Sequence, residues 1–259
     1  MKKFFLPLML MIFLLTGCGR DSDLKETLII GVDDEFAPFA FHNEQNELVG
    51  FDIDLAKETA RRMGVKAEFK SIDWDNKEAE ITSGDVDMIW NGLDILDEYK
   101  EYMIFSKPYM DNRQIIMKSK RDAHKINSEG DLAGKVVGTQ AGSNAETYIN
   151  EHPDIKRHFA AFKTYRNIKA EFTALENGMV DALIIDEIAG RYEMLKRPDV
   201  FKSFEVTVGA VTEFGIGFRK KDTALRDKVQ AAFDSMTADG TAQKISKQWF
   251  HADLIKSRK

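Results

Sequence analysis

Asp186 closes an uninterrupted apolar run, Ala182-Leu183-Ile184-Ile185, and a carboxylate placed there projects from a rigid strand rather than from a loop. Partly desolvated, it would receive an ammonium or guanidinium group well. The same Asp could equally be the N-cap of a helix over Glu187–Leu195. Upstream, Gly142-Ser143-Asn144-Ala145-Glu146 sets a Ser three residues before a Glu, a capping box that opens a helix running to Asn150. Free amides at such a helix start attract anions, although ordinary capping explains the pattern as well. No Gly-Lys-Ser/Thr follows, so the loop is not a phosphate-cradling P-loop. His42, His124, His152, His158 and His251 show neither metal-ligand spacing nor a neighbouring nucleophile, and no Gly-x-Ser-x-Gly elbow occurs. No metal or cofactor is expected.

Strand-length apolar runs must hold these groups. Candidates are Thr27–Val32, Val65–Ile72, Val86–Trp90, Lys135–Thr139, Ala182–Ile185 and Phe214–Arg219. Between them Asp52–Met63 has helical spacing, with Ile53, Ala56, Ala60 and Met63 on one face, Asp52 as a cap and Gly64 as a stop. Thr223–Asp239 reads likewise, with Leu225, Val229, Ala232 and Met236 in line. Strands alternating with helices predict α/β layers with parallel sheet. Ser83-Gly84-Asp85-Val86-Asp87 and Asn177-Gly178-Met179-Val180-Asp181 echo each other, each ahead of an apolar strand, which suggests two similar lobes. Gly-x-Val-Asp is also common helix-to-strand punctuation. Ligands gather at the carboxyl ends of such strands, here Asn91-Gly92-Leu93-Asp94 in one lobe and Asp186-Glu187 in the other.

The N-terminus carries Lys2 and Lys3, an apolar stretch from Phe4 to Leu15, and then Leu15-Thr16-Gly17-Cys18. That is a secretory signal over residues 1–17, too short for a comfortable span, ending in a bacterial lipobox whose Cys is acylated. The chain's one Cys lies where this processing needs it, and residues 18–26 then form a polar, lipidated tether. The expected location is outside the cytoplasm, anchored to the membrane in the periplasm or on the outer face. With 43% hydrophobic residues and 18 Phe the rest can bury substantial cores. A net charge of −6 without a basic block argues against nucleic acid. A small molecule and a membrane protein are the expected partners.

Phe36-Ala-Pro-Phe39-Ala-Phe41, Gly50-Phe-Asp-Ile-Asp-Leu55, Phe105-Ser-Lys-Pro-Tyr109, Asp131-Leu-Ala-Gly-Lys135, Val180-Asp-Ala-Leu-Ile-Ile-Asp186, Gly217-Phe-Arg-Lys220 and Trp249-Phe250 follow one another as do the blocks of a known family. From Thr27 to Phe250 the chain resembles the family 3 solute-binding proteins of polar amino-acid ABC importers. The resemblance implies a two-lobe periplasmic-binding-protein fold of type II, α/β with mixed sheets and a ligand cleft between the lobes. Lobe I would be residues 27–113 with 209–259 and lobe II residues 114–208, crossing near Asn112–Met117 and returning near Val206–Val211. It implies a monomer that gives an amino acid or similar polar molecule to the permease subunits of an ABC importer. By the same resemblance Asp186 receives the ligand's ammonium and the helix start at Ser143 and Asn144 its carboxylate. Asp33, Phe36 and Trp74 touch the ligand, the aromatics sandwiching it, and Trp90 and Tyr109 could line the same pocket. Some relatives are cyclohexadienyl dehydratases, for which Asp94, Glu187 or Glu35 is the candidate acid; a ligand-binding sensor is a further alternative.

One stretch departs from the family. Relatives usually read Thr-x-Thr-x-x-Arg before the Phe-Ser-x-Pro-Tyr block, and the first Thr and the Arg grip the ligand's α-carboxylate. Here Asp94-Ile95-Leu96-Asp97-Glu98-Tyr99 stands there, just after Gly92. A phenol cannot reproduce the bidentate guanidinium fork, and Asp94 would repel a carboxylate. Either Arg166 or Arg113 substitutes for the lost Arg, or the ligand lacks a free α-carboxylate or carries extra positive charge.

Overall fold

The computed structural model describes residues 25–123 and 125–256, so Cys18 and the segment before it lie outside the described residues. The first part of the chain forms β1 (Thr27–Val32), β2 (Glu35–Phe36), β3 (Ala40–His42), β4 (Leu48–Val49), α1 (Phe51–Met63), β5 (Lys66–Ser71), α2 (Lys77–Ser83), β6 (Met88–Asp94) and β7 (Met103–Phe105). β8 (Met110–Ser119) leads into β9 (Val136–Gln140), α3 (Asn144–Glu151), α4 (Pro153–Lys156), β10 (Ala161–Tyr165), α5 (Ile168–Glu176), β11 (Ala182–Asp186) and α6 (Glu187–Lys196). β12 (Phe201–Arg219) returns, and α7 (Thr223–Ala238) and α8 (Thr241–Phe250) finish the fold.

These strands make a nine-stranded sheet in the order β10-β9-β11-β8-β12-β6-β1-β5, with β7 beside β12, while β2, β3 and β4 form a small separate sheet. β1 pairs in parallel with β5 and β6, and β9 in parallel with β10 and β11. The predicted parallel α/β pattern therefore holds at each end of the sheet. Between the ends, β8 runs antiparallel to β11, and β12 antiparallel to both β8 and β6. The β8–β12 register shifts between Phe204 and Thr207 and again between Val208 and Thr212. β12 starts well before the expected Phe214, because residues 201–208 alternate apolar and polar, FKSFEVTV, instead of forming a continuous apolar run.

The repeated Gly-x-Val-Asp has the same job in both halves. Asp87 N donates to Ile29 O at 2.7 Å and Asp87 Oδ2 accepts from Ile29 N at 3.0 Å. Asp181 N likewise donates to Val136 O at 2.7 Å while Asp181 Oδ2 accepts from Val136 N at 2.7 Å. Each Asp thus pins its strand to the first strand of its own half, so the echo is architectural.

Helix α1 buries Phe51, Ile53, Leu55, Ala56 and Ala60, and Gly64 ends it in the left-handed conformation with its amide on the Ala60 and Arg61 carbonyls. Asp52 does not cap it. The cap is Gly50, where any Cβ would meet Phe39 O at 2.1 Å; the chain enters the helix too close to the Phe39 backbone for a side chain. Asp52 lies one turn in, fully buried, and accepts from Gly92 N at 2.7 Å and Tyr109 Oη at 2.9 Å.

The main apolar core runs along the sheet through both halves, from Leu28, Ile30 and Val32 to Ile185, Phe201 and Phe218. Phe39, fully buried, is the hub of an aromatic group: it stacks on Phe36 at 5.1 Å and meets Phe214 edge-on at 5.4 Å and Phe51 edge-on at 6.2 Å. Smaller cores cover the other face at each end, around Ile116, Val137 and Ile184 in one half and Ile81, Ile89 and Leu93 in the other.

Candidate ligand cleft

The strand ends deliver a set of polar side chains to one cavity. Asp33 follows β1 and Phe36 lies in β2; Trp74 opens a short 3₁₀ turn and Tyr99 another, and β6 contributes Asn91, Gly92, Leu93 and Asp94. From the facing half come Gln140 at the end of β9, Gly142, Ser143 and Asn144 at the start of α3, and Asp186 at the end of β11. With the two walls together the space left between them is about 20 Å³, room for roughly one water, so a ligand has to enter with the walls further apart.

The two walls touch directly. Gln140 Nε2 donates to Asp33 Oδ2 at 2.6 Å, Tyr99 Oη to Gly142 O at 3.1 Å, and Lys77 Nζ to the same carbonyl at 2.7 Å. Asn144 Nδ2 reaches Thr212 Oγ1 at 3.3 Å, Thr147 Oγ1 reaches Glu98 at 2.8 Å, and Asn167 reaches Glu35. This is a closed cleft.

Of the expected site residues, Asp33, Phe36, Trp74, Gly92, Asp94, Tyr99, Ser143, Asn144 and Asp186 line the cavity and Arg166 does not. Arg166 is exposed at the end of β10. Arg113 is also elsewhere, its guanidinium forked onto Glu187 with both contacts at 2.6 Å. Neither arginine replaces the missing clamp. Trp90 and Tyr109 are buried in the core against Phe233 of α7 and line no part of the cavity. Glu187 is held below the usual range by hydrogen bonds from Arg113 and Glu35 pairs with Asn167; neither acid lines the cavity.

Asp186 stands at the helix start but makes no capping bond. Its Oδ1 instead accepts from Asn112 Nδ2 and Gln114 Nε2, both at 2.5 Å. Ser143 is the cap foreseen, accepting from Glu146 N at 3.2 Å, and Glu146 Oε2 accepts from Gly142 N at 2.7 Å. Gly92 has φ +55, and a Cβ there would come within 2.9 Å of the Phe36 ring. The bare backbone lets Phe36 close over the floor.

Sequence reasoning missed Gln140, Asn112 and Glu171. Asn112 Nδ2 bridges the acids, lying 3.2 and 3.3 Å from the Asp94 oxygens as well as against Asp186. Glu171, fully buried, has Oε2 without a hydrogen-bond partner, and its carboxyl is pushed well above the usual range by burial and by the charges of Asp186 and Asp33. Gln140 could have been found as a strand-end residue. Glu171 had a signal too, as a lone acid among Ile168, Phe172 and Leu175 on the apolar face of its helix.

Burial pushes Asp33 up to about 6, against the backbone N–H of Glu35 and the Gln140 amide that lower it. Burial also raises Asp94 and Asp186, and the Asp186 charge raises Asp94 further. Facing groups include Asp34, Glu35 and Glu171 around Asp33, and Lys77, Tyr99 and Thr212 around Asp94. A carboxyl raised in the closed empty cleft favours that form at low pH and disfavours it as pH rises through the raised value. A bound cation takes the proton's place. Affinity for a cationic ligand should therefore be full only above the raised Asp94 value of about 8, and should fall as pH drops through it and again through about 6, where Asp33 and Asp186 take up protons, with protons released on binding. Calorimetry in buffers of different ionisation heat measures both; affinity that stays constant from pH 7.5 to 5 would contradict it.

Two similar α/β halves joined through two crossing strands, with facing strand ends enclosing a polar cavity, define a bilobal solute-binding fold of type II. Residues 28–252 match the bacterial extracellular solute-binding proteins, family 3, and the chain belongs to that family. It is 33% identical to the histidine-binding periplasmic protein of Escherichia coli K12 over 98% of this chain and 99% of that one. It is also 33% identical to the lysine/arginine/ornithine-binding periplasmic protein of the same strain, over 96% and 97%. A Streptococcus pneumoniae ABC uptake transporter substrate-binding protein with bound histidine superposes with a TM-score of 0.84 at 34% identity, covering 90% of this chain and 95% of that one. Among the described residues no helix is long and apolar enough to cross a membrane.

Proposed function

We propose that this protein is an extracytoplasmic receptor, tethered by a lipid on Cys18, that captures an amino acid or a similar polar small molecule and presents it to an ABC importer. The observation that carries the reading is the cavity closed by both halves and lined by Asp33, Asp94 and Asp186 with Phe36 and Trp74. Relatives named for binding histidine or lysine, arginine and ornithine support a small nitrogenous ligand. Lobe I comprises residues 27–113 with 209–259 and lobe II residues 114–208. Closure is a hinge motion at β8 and β12, and a permease senses it.

A ligand that binds only the folded state raises the melting temperature by mass action. Screening the purified protein against amino acids, their amides and amines should give at least one saturable shift, accompanied by lobe closure in small-angle scattering. A complete lack of response would count against the receptor reading. Intact-mass measurement of membrane-extracted protein should show an acylated N-terminal Cys18 that C18A abolishes. A soluble, unmodified chain from the native host would refute the anchor.

A further inference from the structure

In the cleft, hydrogen-bond donors and acceptors are out of balance. The Gln140 amide is spent on Asp33, the Tyr99 hydroxyl on Gly142 O and the Asn144 amide on Thr212. Lys77, buried behind the wall, gives its Nζ to the Gly142 and Trp74 carbonyls and lies 4.6 Å from the Tyr99 ring centre; it does not line the cavity. Among the described lining residues, the buried Asn91 Nδ2 donor has no acceptor, and it is neutral. Acceptors remain in excess. Asp33, Asp94 and Asp186 line the space; Asn112 Oδ1 and Glu171 Oε2, which have no hydrogen-bond partner, are buried behind the lining as Lys77 is. Among the described residues no Lys, Arg or His lines the cavity. Buried acceptors in such number require a ligand that donates, and buried carboxylates require a cation.

Charged side chains that could hold a carboxylate are also absent from the described lining. Tyr99 turns its hydroxyl onto a carbonyl, and Asp94 accepts from Thr212 and Asn112. At the start of α3, the Gly142 amide is already occupied by Glu146. A ligand carboxylate entering here would meet Asp94, and the nearest buried cation, Lys77, is already engaged by the Gly142 and Trp74 carbonyls.

We infer that the cleft selects an organic cation without a free carboxylate, an alkyl amine or guanidine whose charged ends are held by Asp186, Asp94 and Asp33 and whose carbon chain lies between Phe36 and Trp74. The inference rests on the receptor reading above and narrows it. Flat aromatic walls beside carboxylates suit such a chain, since the rings cover methylenes and attract the cationic ends. Asp94 Oδ1 and Asp186 Oδ1 converge on the one Asn112 Nδ2, at 3.2 and 2.5 Å, so together they suit a single cationic end, while Asp33 is a separate acceptor held by Gln140.

Matched pairs test this on the purified protein: agmatine against arginine and cadaverine against lysine, by calorimetry and thermal shift at pH 7.5. Each pair differs only by the α-carboxylate. The decarboxylated member should bind at least 10-fold more tightly in one pair. Equal or tighter binding of the amino acid in both pairs overturns the inference while leaving the receptor reading intact, and so does silence from all of them when the broader screen finds another ligand. D94T/Y99R, which restores a hydroxyl and a guanidinium at the family positions, should reverse the preference at least 10-fold toward the amino acid. A folded double variant with unchanged preference would overturn the assignment of selectivity to these residues.

Discussion

Replacing Asp186 with alanine should reduce ligand affinity roughly 10- to 150-fold, the equivalent of about 1.5–3 kcal/mol for a hydrogen bond to a charged group. Asp186 is the carboxylate at the end of a buried strand, and its position is fixed by Asn112 and Gln114. Removing it leaves both amides without their acceptor, so D186A should also change the melting temperature of the empty protein slightly. D186N keeps the volume and an acceptor oxygen, which separates charge from packing. If charge carries the contact, D186N loses affinity nearly as D186A does and its fold is unperturbed. Wild-type affinity in both variants, measured by calorimetry, would remove Asp186 from the site.

Phe39→Ala should be the most damaging single change to stability. Phe39 is completely buried and touches the rings of Phe36, Phe51, Phe214 and Phe250. Truncating such a residue costs about 3–5 kcal/mol through lost burial and the cavity left behind. For a chain of this size that corresponds to a fall in melting temperature of roughly 6–20 °C. Affinity should fall with it, because Phe36 loses the ring that backs it on the cavity wall. F39L retains most of the volume and should recover most of the stability. Denaturant titration that placed F39A within 1 kcal/mol of the wild type would show that the surrounding rings can collapse into the space.

Much of the fold was legible because its inner strands are largely buried and so read as continuous apolar runs: β1 falls where Thr27–Val32 predicted, and β11 within a residue of its expected end. The first half of β12 alternates apolar and polar residues and escaped that search. Asp52 looked like a cap because it opens an amphipathic face, but capping depends on backbone clearance, which a sequence does not display. In the site, strand ends led to Asp94 and Asp186, and family order to Asp33, Phe36 and Trp74. The destinations of Arg113 and Arg166 were not readable, since a cation's partner depends on which surface it reaches in three dimensions. Asn112 gave no signal at all: it lies on a crossing strand, and its meaning comes from two acids 18 residues before and 74 residues after it.

The interruptions in the β8–β12 ladder near Thr207 and Thr212 bear on speed as well as shape. On the hinge proposed above, the lobes would swing apart by bending backbone that is already out of register, leaving the paired rungs on either side whole. The barrier to release then resides in a handful of side-chain latches, among them Gln140 on Asp33 and Tyr99 on Gly142. Residence time and resistance to unfolding thereby become separate properties, so a point change at a latch can retune how long cargo is held with the cores untouched.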